Sequence, residues 1–270
     1  YLGKGKRAAV AYDTRFLSDR FARASAEVLA NNGIEVILSD KPVPTPTLSF
    51  TVKSRNLDLG VMITASHNPG EYNGFKIKTS SGGAAGQEVT SRIESLLGKT
   101  PVKEGSKDVA LIHQQDMIKD YARFIRSYID LKRIKKKKFK VLVDAMYGAG
   151  DSYISDILKG THIELEFLRN TINPSFDGTH PEPIEENLHT LLEMMKKKKF
   201  DLGIALDGDA DRLAAVAPGG IFIHPQKILG LLALHLHQDR GWTGGIVKTI
   251  AGTTMVDAIA KFLNIKLYET

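Results

Sequence analysis

Short apolar runs alternate with amphipathic stretches along this chain, and the alternation repeats. Ala8-Ala9-Val10-Ala11-Tyr12 is an apolar run of strand length. A helix-spaced segment follows at residues 18–31, and a second apolar run, Ile34-Glu35-Val36-Ile37-Leu38, closes the unit. The same order returns over residues 140–168 and again over residues 245–268. Strands that alternate with helices predict βαβ units on a mostly parallel sheet. Recurrence at about hundred-residue spacing predicts related domains rather than one large sheet. The fold class read from this pattern is α/β, with repeated three-layer α/β domains and mixed, mostly parallel sheets. The expected domains are residues 1–137, 138–222 and 223–270. The first boundary falls in a lysine run after a helix predicted over residues 115–130; the second falls beside the turn signal Pro218-Gly219-Gly220.

Two apolar runs share a frame. Leu57-Asp58-Leu59-Gly60-Val61-Met62-Ile63 leads into Thr64-Ala65-Ser66-His67-Asn68-Pro69. Phe200-Asp201-Leu202-Gly203-Ile204-Ala205-Leu206 leads into Asp207-Gly208-Asp209-Ala210-Asp211-Arg212. Each is a buried-strand pattern that opens with Asp-Leu-Gly and ends in a polar loop. Loops at the carboxyl ends of such strands are where ligands bind in open α/β sheets.

Composition narrows the chemistry. The 270 residues contain no cysteine, which excludes disulfides and thiol catalysis and fits a cytoplasmic protein. The longest apolar stretch, Ile228-Leu229-Gly230-Leu231-Leu232-Ala233-Leu234, falls far short of the roughly 20 residues of a membrane span, so no membrane partner is expected. Much of the net charge of +6 sits in two lysine clusters, residues 132–138 and 196–199, each just ahead of a strand-like run. Cations are favourable at helix C-termini. No aromatic residues interleave with the lysines as a base-stacking surface requires, so no nucleic acid is expected.

The aspartate loop points to a metal. Residues i, i+2 and i+4 of an extended segment lie on one side, and Gly208 lets the backbone curl so that Asp207, Asp209 and Asp211 converge. Two such charges about 4 Å apart repel by about 4 kcal/mol at an effective dielectric near 20, so the triplet calls for a cation. Oxygen donors select a hard ion, Mg²⁺ or Ca²⁺. The spacing is not that of a calcium EF-hand, which needs Gly where Arg212 stands and Glu where Pro218 stands; Mg²⁺ suits the loop better. The serine loop points to a phosphate. A lone serine after a strand is most often a helix N-cap, but here Thr64, Ser66, His67 and Asn68 cluster their donors. Asn73-Gly74 marks a turn, and Lys76 follows it. Ser66 reads as a nucleophile, His67 as a phosphate or substrate contact, and Lys76 as a proton carrier or phosphate clamp.

With these residues in view, the sequence resembles the α-D-phosphohexomutase superfamily, the phosphoglucomutase and phosphomannomutase group. The resemblance rests on Thr64-Ala65-Ser66-His67-Asn68-Pro69, on Asn73-Gly74-Phe75-Lys76 and on Asp207-Gly208-Asp209-Ala210-Asp211-Arg212. Asp13-Thr14-Arg15, Pro44-Thr45-Pro46 and the segments at residues 173–176 and 182–188 are similar as well. It implies that Ser66 is a catalytic phosphoserine and that Asp207, Asp209 and Asp211 bind Mg²⁺ together with a phosphoserine oxygen. It implies Lys76 as general acid/base and His67 as an active-site residue, with Arg15, Arg212 and Lys248 as substrate-binding residues. The implied reaction interconverts hexose 1-phosphate and 6-phosphate, for glucose or mannose, through a hexose bisphosphate. A phosphoglucosamine mutase, or a metal- and phosphate-binding fragment without a full cycle, are the alternatives. The family fold has four domains; this sequence is expected to cover two and part of a third, without the sugar-selecting loop, the C-terminal phosphate-binding domain or an N-terminal arginine segment.

Overall fold

A computed structural model describes residues 5–103 and 109–270. The first unit opens with β1 (Arg7–Tyr12), α1 (Ser18–Ala30), β2 (Glu35–Ser39), α2 (Thr45–Ser54), β3 (Leu59–Ile63), β4 (Phe75–Thr79), α3 (Gln87–Glu94) and β5 (Ile112–Gln115). Its five strands lie in the order β4-β3-β1-β2-β5. All neighbours are parallel except β4, which runs antiparallel along the edge beside β3.

Alternation along β1 explains the three layers. Ala8 and Val10 face α1, which presents Ala22 and Ala26 in the same core, while Ala9 and Ala11 face α2 through Leu48 and Val52. A strand covered on both faces reads as a continuous apolar run, and the alanine stripe of α1 lets helix and sheet approach closely.

Two helices, α4 (Ile118–Tyr128) and α5 (Leu131–Lys135), lead to the second unit. α4 touches both sides. Phe124 stacks on Phe50 of α2, and Arg55 pairs with Asp120, while Arg126 donates to the Asp156 and Lys159 carbonyls of the next helix and its end. The second unit comprises β6 (Phe139–Asp144), α6 (Asp151–Leu158), β7 (Ile163–Leu168), α7 (His189–Lys197), β8 (Leu202–Leu206), β9 (Leu213–Ala217) and β10 (Ile221–Ile223). Strand order is β10-β9-β8-β6-β7; β7, β6 and β8 are parallel, and β9 and β10 extend the sheet antiparallel. Leu142, Ala205, Ala214 and Val216 pack on Leu191 and Met195 of α7. The lysine clusters lie where the charge pattern places them, in the last turns of α5 and α7 and just beyond.

The remaining residues form α8 (Pro225–Leu234), a π-turn at His235–Asp239, β11 (Ile246–Lys248), α9 (Thr254–Leu263) and β12 (Leu267–Glu269), with β11 and β12 parallel. This unit leaves apolar surface uncovered: Val247 is 67% and Phe262 75% exposed. Among the described residues no helix is long and apolar enough to cross a membrane.

The antiparallel strands β4, β9 and β10 are additions to the βαβ pattern. They matter because β3–β4 and β8–β9 bracket the serine and aspartate loops. Each loop is thereby tied down at both ends by a ladder.

Candidate active site

Ser66 follows β3, and its buried Oγ lies 3.3 Å from Asp207 Oδ2, across the junction between the two units. Ser66 has φ +57°, in the left-handed region that costs a non-glycine residue about 1–2 kcal/mol. Two bonds hold it there: its N–H donates to Thr64 Oγ1 at 2.8 Å, and Arg15 donates to its carbonyl at 2.8 Å.

The three aspartates do converge. One oxygen from each of Asp207, Asp209 and Asp211 lies within 4.8 Å of the others. The way they converge corrects the expectation from extended alternation. The segment is a tight turn, and its left-handed residue is Ala210, φ +51°, not Gly208. Asp207 Oδ1 closes that turn by accepting the N–H groups of Asp211 and Arg212.

Gly208 serves a different purpose, close approach between loops. A Cβ there would meet the Ser66 carbonyl oxygen at 2.6 Å. Gly208→Ala is therefore expected to push the two loops apart, costing about 1–3 kcal/mol in urea unfolding and weakening metal binding in the same variant.

Asp207 and Asp209 are fully buried and held differently. Asp209 Oδ2 accepts from Thr45 Oγ1 at 2.6 Å and from Lys76 Nζ at 2.9 Å. Burial, the largest influence, would raise its pKa, but the Lys76 charge and the hydrogen bonds from Thr45 and Lys76 together hold Asp209 below the usual carboxylate range. The cation nearest Asp207, Arg212, stands farther off, at 3.9 Å, and is half exposed. Burial, with the Asp209 charge beside it, raises Asp207 to about 7. The other oxygen of Asp209, Oδ1, is buried with no hydrogen-bond partner. An orphaned buried carboxylate oxygen is costly unless something occupies its lone pairs. Facing two further carboxylates, it fits a hard divalent cation.

Around this centre stand the other expected residues. Lys76 also lies 3.8 Å from Asp211. Arg212, half exposed, sits 3.9 Å from both Asp207 and Asp211 and 3.8 Å from Glu182. His67 lies 4.0 Å from the same Glu182 through Nε2, while its Nδ1 is buried without a hydrogen-bond partner. Two expectations change. Arg15, expected to contact substrate, is buried beneath the serine loop with every N–H engaged by the protein, so none is left for a ligand. Lys248 lies outside this cluster. Asp257 and Glu269, at 2.8 and 3.0 Å, surround its ammonium and raise its pKa.

Several contributors escape sequence reasoning. Thr45, in the Pro44-Thr45-Pro46 segment, grips Asp209 through its hydroxyl and through its N–H to the Asp209 carbonyl. Glu182 bridges His67 and Arg212. Lys78 shares a face of β4 with Lys76 by strand alternation; burial, with Lys76 nearby, lowers its pKa. The alternation of Lys76 and Lys78 was the only signal for it in the sequence.

Asp13, beneath the serine loop, is another buried acid. Its carboxylate accepts from Thr64 Oγ1 at 2.6 Å, Ser18 Oγ at 3.0 Å, and Arg15 N and Nε at 3.1 and 3.2 Å. Burial nonetheless raises it from the ordinary 3.8 to about 6. A raised folded pKa means the folded state binds the extra proton, so this contribution to stability is complete below 3.8 and is lost as pH rises to about 6. Replacing Asp13 with Asn is expected to flatten the stability–pH curve between those values. Urea midpoints across that range would show it; an unchanged slope would contradict the assignment.

Comparison with known proteins identifies the family. Residues 1–102 match the model of phosphoglucomutase/phosphomannomutase alpha/beta/alpha domain I, and residues 119–220 match domain II. A phosphoglucomutase/phosphomannomutase of Thermococcus kodakarensis is 32% identical over 263 residues, 97% of this chain and 57% of that protein. A phosphoglucosamine mutase of Methanococcus aeolicus is 30% identical over 98% of this chain and 59% of its own length. A crystal structure from Thermus thermophilus, assigned as a phosphomannomutase, superposes with a TM-score of 0.90 at 35% identity, covering 98% of this chain and 60% of that one. The chain thus spans somewhat over half the length of the relatives it matches. It has the α/β/α fold, the serine loop and the aspartate loop in one arrangement, and it belongs to the α-D-phosphohexomutase superfamily.

Proposed function

We propose that this chain carries the phosphoserine and Mg²⁺ centre of a hexose-phosphate mutase, with Ser66 as the group that accepts and returns phosphate. The observation that supports this most directly is Ser66 Oγ at 3.3 Å from Asp207, inside a triplet of carboxylates that includes an unpartnered buried oxygen. Asp207, Asp209 and Asp211 would hold Mg²⁺ beside the serine oxygen. The ion, when bound, supplies charge neutralisation at the transferring phosphoryl group.

The side chains supply the rest. Transfer from a hexose bisphosphate to the serine forms the Oγ–P bond and breaks the sugar O–P bond. Lys76 gives its Nζ proton to the departing sugar oxygen, and the Oγ proton leaves to solvent past the exposed rim at Asp211. The return transfer, to the other hydroxyl of the sugar, reverses both proton movements. Lys76 is suited to this because Asp209 holds it 2.9 Å away while its side chain stays 36% exposed. His67 and Arg212, joined through Glu182, form the neighbouring wall and would receive the non-transferring phosphate.

Intact mass after exposure to glucose 1,6-bisphosphate and Mg²⁺ tests the half-reaction. One phosphate gained by the wild type, and lost on return to hexose monophosphate, is expected. No gain would refute Ser66 as the carrier. Relatives named for glucose or mannose and for glucosamine are similar to this chain at 32% and 30% identity, so glucose, mannose and glucosamine phosphates belong in the same assay. Isomerisation by the chain itself separates a complete mutase from a fragment limited to the half-reaction.

A further inference from the structure

Arg15 is 3% exposed, and its guanidinium has five N–H groups. All five are used. Nε donates to Asp13 at 3.2 Å; one terminal nitrogen donates to the carbonyls of Pro69 and Tyr72 at 2.7 and 2.9 Å; the other donates to the carbonyls of Ser66 and Asn68 at 2.8 and 2.6 Å. Four of the five acceptors are therefore main-chain oxygens of the loop that presents Ser66. The face of the guanidinium is covered from the second unit by Phe176, whose ring centre lies 4.9 Å away. Phe176 is fully buried.

The same acid that orients Arg15 also orients Thr64. Asp13 accepts from Thr64 Oγ1, which in turn accepts the N–H of Ser66. The two bonds that hold Ser66 in its left-handed backbone thus start from one buried pair, Arg15 on its carbonyl side and Asp13 through Thr64 on its amide side. An uncommon conformation persists only where its surroundings over-determine it, and here they do so through a single ion pair.

We infer that Arg15 is a positioning residue for Ser66: by gathering four loop carbonyls under the Phe176 ring, it sets the backbone that aims Oγ at Asp207, and it does not touch the sugar phosphate. The kinetic part of this inference rests on the proposed role of Ser66; the structural part does not.

The test compares wild type, Arg15→Lys and Phe176→Leu in the full chain. A lysine keeps the charge but offers three N–H groups without the planar fork, so it serves at most three of the five acceptors. Two measurements are made. One is the rate of phosphate transfer from glucose 1,6-bisphosphate to Ser66 by intact mass, over a range of bisphosphate concentrations with Mg²⁺. The other is amide hydrogen exchange of the peptide spanning residues 64–74. A misplacement near 1 Å costs about 10²-fold, so the maximal rate of Arg15→Lys is expected to fall about 100-fold with the half-saturating concentration unchanged. Exchange in residues 64–74 is expected to speed up about tenfold while α1 and α2 keep their protection. A higher half-saturating concentration at an unchanged maximal rate would assign Arg15 to substrate instead and overturn the inference. Unchanged exchange would overturn it too. If wild type accepts no phosphate, the proposed function fails, and the exchange measurement still decides the positioning role. If Arg15→Lys does not fold, Phe176→Leu, which removes the ring over the guanidinium and leaves its hydrogen bonds, decides it by the same two readouts.

Discussion

Replacing Ser66 with alanine is expected to abolish phosphate uptake while leaving the protein folded. The separation of these effects follows from the local structure. The hydroxyl donates to Asp207 at a long 3.3 Å, and a bond of that kind contributes about 1 kcal/mol. The strained φ of +57° is carried by the backbone and is met equally by Ser and Ala. Loop geometry depends on the Ser66 main chain, bonded to Thr64 and Arg15, not on its side chain. Activity has no such redundancy. Removing a nucleophile that forms a covalent intermediate typically costs about 10⁴- to 10⁶-fold, and the acceptor oxygen is gone. Mass spectrometry of both proteins after exposure to hexose bisphosphate is the check. Phosphate on the alanine variant at wild-type level would mean that another group is the carrier.

Asp209→Asn should have the second largest effect, on metal affinity. Asp209 is fully buried and supplies the one carboxylate oxygen of the triplet with no protein partner, while its other oxygen anchors Thr45 and Lys76. Losing one unit charge about 4 Å from a cation removes about 4 kcal/mol of attraction at an effective dielectric near 20, or about 10³-fold in affinity. Mn²⁺ binding followed by electron paramagnetic resonance would register this without any substrate. The amide also brings a donor toward Thr45 and Lys76, both donors themselves, so an unfolding cost of about 2 kcal/mol is expected alongside. Asp211→Asn, at the exposed rim, should weaken Mn²⁺ less. Equal losses for the two variants would argue against Asp209 Oδ1 as the centre of the site.

Much of the site was legible because strand-end loops carry their chemistry in contiguous residues. Ser66, His67 and Lys76 lie on or between β3 and β4, and the three aspartates lie between β8 and β9. Hydrophobic alternation locates those strands, and residue type names the chemistry. The antiparallel edges were less legible. Phe75-Lys76-Ile77-Lys78-Thr79 is short and charged, and its burial comes from pairing with β3, not from its own composition. Roles were harder still to read where they depend on a partner distant in sequence. Thr45 and Asp209 are 164 residues apart, and nothing local to either predicts their bond. From the sequence, Gly208 is the residue expected to curl the aspartate loop. In the fold Ala210 does that, and Gly208 makes room for a carbonyl of the serine loop.

By itself, the sequence determined that this protein is built of βαβ units and that a serine-bearing loop and an acidic loop end two buried strands. These are properties of short segments, set by periodicity and side-chain chemistry. Only the tertiary structure decided that the two loops meet, that Lys76 and Thr45 hold Asp209 while Asp207 faces Ser66, and that Arg15 donates to four carbonyls of the serine loop. Contacts between units joined by long stretches of chain depend on how two packed surfaces dock, and no local pattern encodes that docking.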